Sequence, residues 1–372
     1  NDYVKPGMPS KRDGVYYFYA NDGLQNQSVL YRTKDLTQTP EVFLDPNTLS
    51  EDGTVALSGT SFSNDGKYMA YMISRSGSDW VEIYVMDVAT KELLSDHIQW
   101  AKFTSAAWAG DGFYYSAYPR PEAGKEYSSA NEYHSVYYHK LGTPQSEDVL
   151  VYRDENNPLH FHYVATSEDE TLLMLYASGQ GLGNSLKVKN LKKPGADWVT
   201  VEPSQDYEIS VYDVIDGKMY IYTNYGAPRY RMMIADVNSP ERENWKEFIP
   251  EGSGVLTGCS FAGDKLIVEY NIDACSRAYL YTLAGEQIRE IQLPTYGSAG
   301  FSSSKKHDEV FYTFTSFTYP SAIYRYDMES GKSELYKAVE IEGFEIDDYE
   351  TIQVFYPSAD GTRIPMFITF KK

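Results

Sequence analysis

The chain has 372 residues, enough for a large buried core, and carries 53 Asp and Glu against 33 Lys and Arg, a formal net charge of −20. Such acidity repels the phosphates of nucleic acid and anionic lipid, so neither is an expected partner; its plain meaning is solubility, its sharper one a field that favours cationic or neutral ligands. Two cysteines, Cys259 and Cys275, are too few for a disulfide scaffold and read as free thiols, and no apolar run reaches the length of a membrane span.

In chain order, one phrase returns: a polar, acidic or Gly-containing turn, then a strand dense in aromatics. Asp13-Gly14 precedes Tyr16, Tyr17 and Tyr19, and Asp65-Gly66-Lys67 precedes Tyr68 and Tyr71. Asp111-Gly112 precedes Tyr114 and Tyr115, Asp169 precedes 172–176, and Asp216-Gly217-Lys218 precedes Tyr220 and Tyr222. Asp264-Lys265 precedes 266–270, and His307-Asp308 precedes 310–314. The acidic positions are separated by 52, 46, 58, 47, 48 and 44 residues. Strand texture at this period predicts an all-β fold, a seven-bladed β-propeller of four-stranded antiparallel blades around a central channel. The 35 tyrosines fit strands that pack an apolar ring and still offer a hydroxyl.

Each repeat divides into about four strands; in the second they are 56–62, 68–74, 81–87 and 93–98. The third carries a polar insertion at 120–132. The first is weaker, because its inner strand must come from 3–11, which holds Pro6 and Pro9. The seventh supplies all four of its strands from one contiguous stretch, so the ring is expected to be without strand-exchange closure. After Val339 an acidic connector, 340–350, leads to a hairpin, 351–356 with 363–370, and a lone two-stranded hairpin is not stable by itself. The expected division is therefore 1–340 propeller and 341–372 connector and first hairpin of a further domain, the sequence being a fragment of a longer protein. Asn1 in place of Met reads as a processed or cut start, and the compartment, cytoplasmic or periplasmic, is not readable.

Motifs that carry chemistry are mostly missing. Gly300-Phe301-Ser302-Ser303-Ser304 lacks the last Gly of a nucleophile elbow and begins a predicted strand, so it reads as an inner strand. His160 and His162 would share one face of a strand, but no third metal ligand accompanies them. Gly179-Gln180-Gly181-Leu182-Gly183 sits between two strands and reads as a hairpin loop, not a dinucleotide site. No catalytic residue, metal or cofactor is expected from these residues.

Several strings nevertheless resemble those of the prolyl oligopeptidases: Gly23-Leu24-Gln25-Asn26-Gln27-Ser28-Val29-Leu30-Tyr31; Leu44-Asp45-Pro46-Asn47; Ser76-Gly77-Ser78-Asp79-Trp80; Leu141-Gly142-Thr143; Phe314-Thr315-Ser316-Phe317; and Phe355-Tyr356-Pro357-Ser358 with Asp360-Gly361-Thr362 and Ile364-Pro365-Met366-Phe367. The resemblance runs essentially end to end. It implies a propeller paired with an α/β-hydrolase domain that carries a Ser-Asp-His triad and cleaves short peptides after proline. The triad-bearing segments would lie outside this chain, whose part would be gating and substrate filtering. By the same resemblance Tyr114 and Met174 are candidate walls of the substrate pocket, against ordinary packing between blades. The expected partners are the hydrolase domain of the same protein and short proline-containing peptides, in a monomer. The alternative is a free-standing propeller acting as a protein-binding platform, which the unpaired apolar hairpin argues against.

Overall fold

A computed structural model describes residues 3–125, 128, 130–179 and 181–372. Gln180 of the glycine-rich string and Glu126, Tyr127 and Ser129 of the 120–132 insertion lie outside the described residues. The fold is all-β: among the described residues the only helical segments are four 3₁₀ turns, and no helix is long and apolar enough to cross a membrane.

Five sheets have four antiparallel strands each, in simple sequential order. The first holds Ser10–Arg12, Val15–Ala20, Val29–Thr33 and Glu41–Leu44. Two more run from Phe161–Thr166 to Val199–Glu202 and from Ile209–Ile215 to Lys246–Ile249. The last two run from Val255–Ala262 to Gln287–Ile291 and from Ser298–Ser304 to Ser333–Ala338.

The expected count of seven separate four-stranded blades is corrected here: the structure shows five. The strands of the second and third repeats form one eight-stranded sheet. The cause is local. The strand Ala107–Ala109 is short and pairs with Gly112–Ala117 only at positions 112–114, leaving the far end of that strand without a partner on this side. The ten-residue strand Leu93–Lys102 runs on to fill the gap, pairing Ala101 with Ala117. Both positions are buried alanines, small enough for the two backbones to meet.

The recurrent turns behave as their residues dictate. Asp13-Gly14 and Asp216-Gly217 each place two successive residues at positive φ, 47° and 80° in one and 49° and 72° in the other, the geometry of a tight hairpin joining first strand to second. The second strand of each sheet is the most apolar because both of its faces are covered. Leu172 and Met174 pack with Ile209, Met219 and Ile221, whereas Leu173 and Leu175, on the opposite face, pack with Val136 and Val164.

The chain divides into two compact units. One is Asn1–Asp45, Arg229–Arg231 and Phe248–Lys372; the other is Pro46–Pro228 and Met232–Glu247. Within the first unit, the first and the last of the four-stranded sheets meet without exchanging a strand. Side chains join them: Tyr16, Phe311 and Ile323 form a buried cluster, and Glu309 accepts hydrogen bonds from Lys11 Nζ at 2.6 Å and from the Tyr16 hydroxyl. The first strand of this seam is only three residues long, preceded by a single bridge between Lys5 and Asn21, as Pro6 and Pro9 lack the N–H a ladder needs.

Also in the first unit, Tyr349–Pro357 pairs with Arg363–Lys371 over nine positions as a two-stranded sheet of its own. It touches the neighbouring sheets lightly. Gln353 Nε2 donates to the Asp273 carbonyl at 2.6 Å, and Phe367 packs on Tyr296 and Phe317. Ile352, Tyr356, Met366, Ile368 and Phe370 stay exposed.

Candidate functional site

The two sequence-predicted wall residues lie apart. Tyr114, half-buried on Gly112–Ala117, sets its ring 4.8 Å from that of Tyr138 and rests on the cluster of Ala107, Val136, Val164, Leu173 and Leu175. Burial raises the pKa of its hydroxyl, which therefore stays protonated. Met174 is 3% exposed and points to the opposite face of its sheet, into the cluster of Leu172, Leu186 and Ile209, with the Tyr176 hydroxyl 3.8 Å from its sulfur.

The remaining sequence candidates are structural. His162 is buried on Phe161–Thr166, but His160 precedes that strand and packs on Gly179, where a Cβ would come within 2.6 Å of the imidazole. The described residues hold no group of three metal-ligating side chains. Gly183 is required by close backbone approach: its N–H donates to the Gln205 carbonyl at 2.8 Å, and a Cβ there would lie 1.9 Å from the Tyr207 carbonyl oxygen. Ser302 sits mid-strand in Ser298–Ser304, and both cysteines are buried and unbridged.

What sequence reading missed is an aromatic patch in the second unit, built where the second and third repeats merge. Trp80 packs edge-on against Trp100 at 5.6 Å and against Tyr118 at 6.3 Å. Phe103 packs edge-on against Phe161 at 5.4 Å, and both are more than two-fifths exposed. Between them the Lys102 ammonium lies 5.0 Å from the Trp80 ring and 5.1 Å from the Phe103 ring, and 3.6 Å from the Asp79 carboxylate. Trp100, Phe103 and nearby Tyr133 all take positive φ, at 60°, 51° and 62°. Bulky aromatics rarely tolerate that region, and such strain persists only where the surroundings fix it.

Two buried histidines fix it here. Burial pushes the His134 pKa down to about 4, so the ring is neutral. Its Nε2–H donates to the Lys102 carbonyl at 2.8 Å and its Nδ1 accepts the His162 amide N–H at 3.0 Å, which sets the tautomer. Burial likewise lowers the His162 pKa, and its Nδ1–H donates to the His134 carbonyl at 2.5 Å. These protons are committed to backbone, and the patch presents rings and one cation with no nucleophile among them. Chemically it can bind an apolar or extended ligand.

A family profile described as the N-terminal β-propeller domain of prolyl oligopeptidase matches residues 1–339. The chain belongs to the prolyl oligopeptidase family. It is 38% identical to a prolyl endopeptidase of Elizabethkingia miricola over all of this chain and 52% of that protein, and 35% identical to prolyl oligopeptidase A of Galerina marginata over all of this chain and 55% of that protein. Among solved structures, apo prolyl oligopeptidase B of Galerina marginata superimposes with a TM-score of 0.88 at 31% identity, over all of this chain and 56% of that one. A mutant of that protein bound to a 25-residue macrocyclisation substrate gives 0.89 at 32%, over 99% of this chain and 55% of that one. The chain thus spans about half the length of the curated relatives it matches.

Proposed function

We propose that this chain is the peptide-gating propeller portion of a serine-type prolyl endopeptidase that cleaves short peptides after proline. The observation that carries the proposal is the match over the whole chain to prolyl endopeptidases about twice its length. The hairpin supports it. Residues 341–372 are proposed as the connector and first strands of an α/β-hydrolase domain, because Ile352, Met366, Ile368 and Phe370 are apolar side chains that further strands or helices would cover. The triad would stand on that domain, with an activated serine and an oxyanion hole supplying the chemistry.

The propeller would contribute a filter and part of the pocket wall. The exposed rings of Phe103 and Phe161 are suited to an extended peptide, and Tyr114 remains a proposed wall residue. Met174, being buried, would act as backing for the wall and not as a contact.

The test is activity. This chain alone should leave a fluorogenic Gly-Pro amide uncut and should not react with a serine-directed phosphonate. A longer polypeptide of the same frame, continuing past Lys372 through a Gly-x-Ser-x-Gly elbow, should do both. Cleavage by this chain, or stoichiometric labelling at Ser302, would overturn the assignment.

A further inference from the structure

The charged ends of the sixth and seventh repeats enclose a cleft of about 690 Å³, all of it within the first unit. The strands Lys265–Ile272 and His307–Thr315 begin at this cleft and run away from it, towards Asp273 and Phe317, which touch the hairpin. Two glycines seat one charge of each sign in it. Gly331, at φ 75°, lies in the turn between the last two strands of the seventh repeat, and a Cβ there would come within 2.5 Å of Arg289 Nη1. In that room the guanidinium reaches across from the sixth repeat, and its Nη2 donates to the Met328 and Glu329 carbonyls at 2.9 and 3.2 Å. Gly263, at φ 54°, does the reverse. A Cβ there would lie 2.0 Å from Asp308 Oδ1, so this carboxylate of the seventh repeat rests on a turn of the sixth.

Both seated groups keep hydrogen-bonding capacity. Among the described residues, Arg289 Nε and Nη1 and the Asp308 carboxylate have no hydrogen-bond partner. Tyr326, also in the wall, is 2% exposed, and its hydroxyl is buried without a partner. Burial raises its pKa and the Arg289 charge offsets part of that, so the hydroxyl is protonated and lies within the field of the guanidinium. A buried hydroxyl left unpaired costs stability, and a ligand atom that accepts from it would recover the loss. Four cations and five carboxylates line the cleft, a net charge of −1. Arg325 and Glu309 satisfy each other at 2.8 Å, whereas Lys332 and Glu334 have no side-chain partner among the described residues.

We propose that this cleft binds a free basic α-amino acid. The α-carboxylate accepts from the Arg289 guanidinium and the Tyr326 hydroxyl, and the side-chain cation pairs with Asp308 and Glu334. The ligand's net charge of about +1 cancels that of the cleft, while its two ends answer both seated charges. A simple anion would leave the carboxylates facing it, and a simple cation would leave the guanidinium and the hydroxyl unpaired. Arg289 belongs to the sixth repeat, and Tyr326 and Asp308 to the seventh, so one bound molecule holds the two sheets together. The inference does not rest on the peptidase assignment: binding is measured on this chain and requires no cleavage.

The experiment is calorimetric titration of this chain with L-arginine at physiological ionic strength, where loose attraction to the acidic surface is screened. Half-saturation should fall at or below about 1 mM. Agmatine, which is arginine without its carboxylate, should bind at least about tenfold more weakly, and L-glutamate should not bind. Tyr326→Phe should weaken arginine about five- to tenfold and leave agmatine unchanged. Without ligand that variant should not lower the thermal midpoint, because the hydroxyl it removes has no partner in the protein. Asp308→Asn, at an exposed position, should weaken both amines about three- to tenfold, and it serves if Tyr326→Phe fails to fold. Bound arginine should also slow hydrogen exchange in the turn 327–332. The proposal is overturned by no saturable binding up to about 10 mM, by agmatine or glutamate matching arginine, by undiminished binding in the variants, or by unchanged exchange in that turn.

Discussion

Replacing Glu309 by Ala should loosen the first sheet from the last while leaving the other sheets in place. The Glu309 carboxylate accepts from Lys11 Nζ at 2.6 Å, from the Tyr16 hydroxyl at 2.6 Å and from Arg325 at 2.8 Å, with 17% of its own side chain exposed. Arg325 is more than half exposed, and its pair contributes at most about 0.5 kcal/mol. The two less exposed bonds cross the seam to a charged group and contribute about 1 kcal/mol each after allowance for partial solvation. The loss is thus about 2 kcal/mol, or roughly a thirtyfold fall in hydrogen-exchange protection for amides of Ser10–Arg12 and Val15–Ala20. Glu309→Gln keeps an acceptor for Tyr16 and should lose about half as much. The pH dependence has a definite sign. Burial alone would raise the Glu309 pKa, but hydrogen bonds from Lys11 and Tyr16 and the neighbouring cations bring it below the ordinary 4.5. Its contribution is therefore complete above that value and lost as pH falls through the lowered pKa. Lys11, raised above 10.5 chiefly by its bond to Glu309, contributes fully below that value and loses its share as pH rises through the raised pKa. Exchange that changes less than threefold in the first sheet, or equally in every sheet, would refute the clasp.

Two further outcomes follow from buried titrating groups. His139 is fully buried with Nδ1 2.7 Å from Asp148 and Nε2 2.9 Å from Asp96; desolvation lowers its pKa, the bonds to Asp148 and Asp96 raise it, and the net direction is up from 6.5. Stability from this triad is complete below pH 6.5 and lost as pH rises through the raised pKa, so urea midpoints should decline on the alkaline side; His139→Ala should cost about 3–5 kcal/mol and abolish that slope. Glu269 is the opposite case, its pKa pushed up to about 7 by burial alone, so its ionisation destabilises the fold increasingly from its ordinary 4.5 up to about pH 7. Glu269→Gln should raise stability at pH 8 by about 1–2 kcal/mol and have little effect at pH 4, and a loss at pH 8 would point to a partner for the carboxylate.

Much of the fold was legible because its turns are local. Asp13-Gly14 and Asp216-Gly217 can adopt two successive positive φ values, so the sequence marks where first strands become second strands, and the alternation of strand faces follows from there. The strand-poor start was legible from Pro6 and Pro9 for the same local reason. The merging of the second and third repeats was not. It depends on how far Leu93–Lys102 extends and how short Ala107–Ala109 is, and on Ala101 and Ala117 being small enough to meet. Those are properties of strand ends, set by tertiary pairing and not by periodicity. A repeat count taken from turns is therefore blind to whether two neighbouring sheets stay separate.

The site was less legible, and the physical reason lies in Trp100, Phe103 and Tyr133. Their positive φ values have no sequence signature, since the pattern that announces such geometry is Gly, Asn or Asp. The strain is held by the His134–His162 exchange of bonds, across 28 residues of chain, and by Lys102 inserted between two rings. Resemblance pointed to Tyr114 and Met174, which lie within regular strands, where side-chain direction follows the pleat and Met174 is turned inward by it. A residue just beyond a strand end escapes that alternation. Phe103 does so one residue past Lys102, and its ring is therefore free to project where a strand residue would be packed. On this scaffold ligand-facing rings should gather where strand ends are irregular, as at the junction of the second and third repeats, where two sheets are fused.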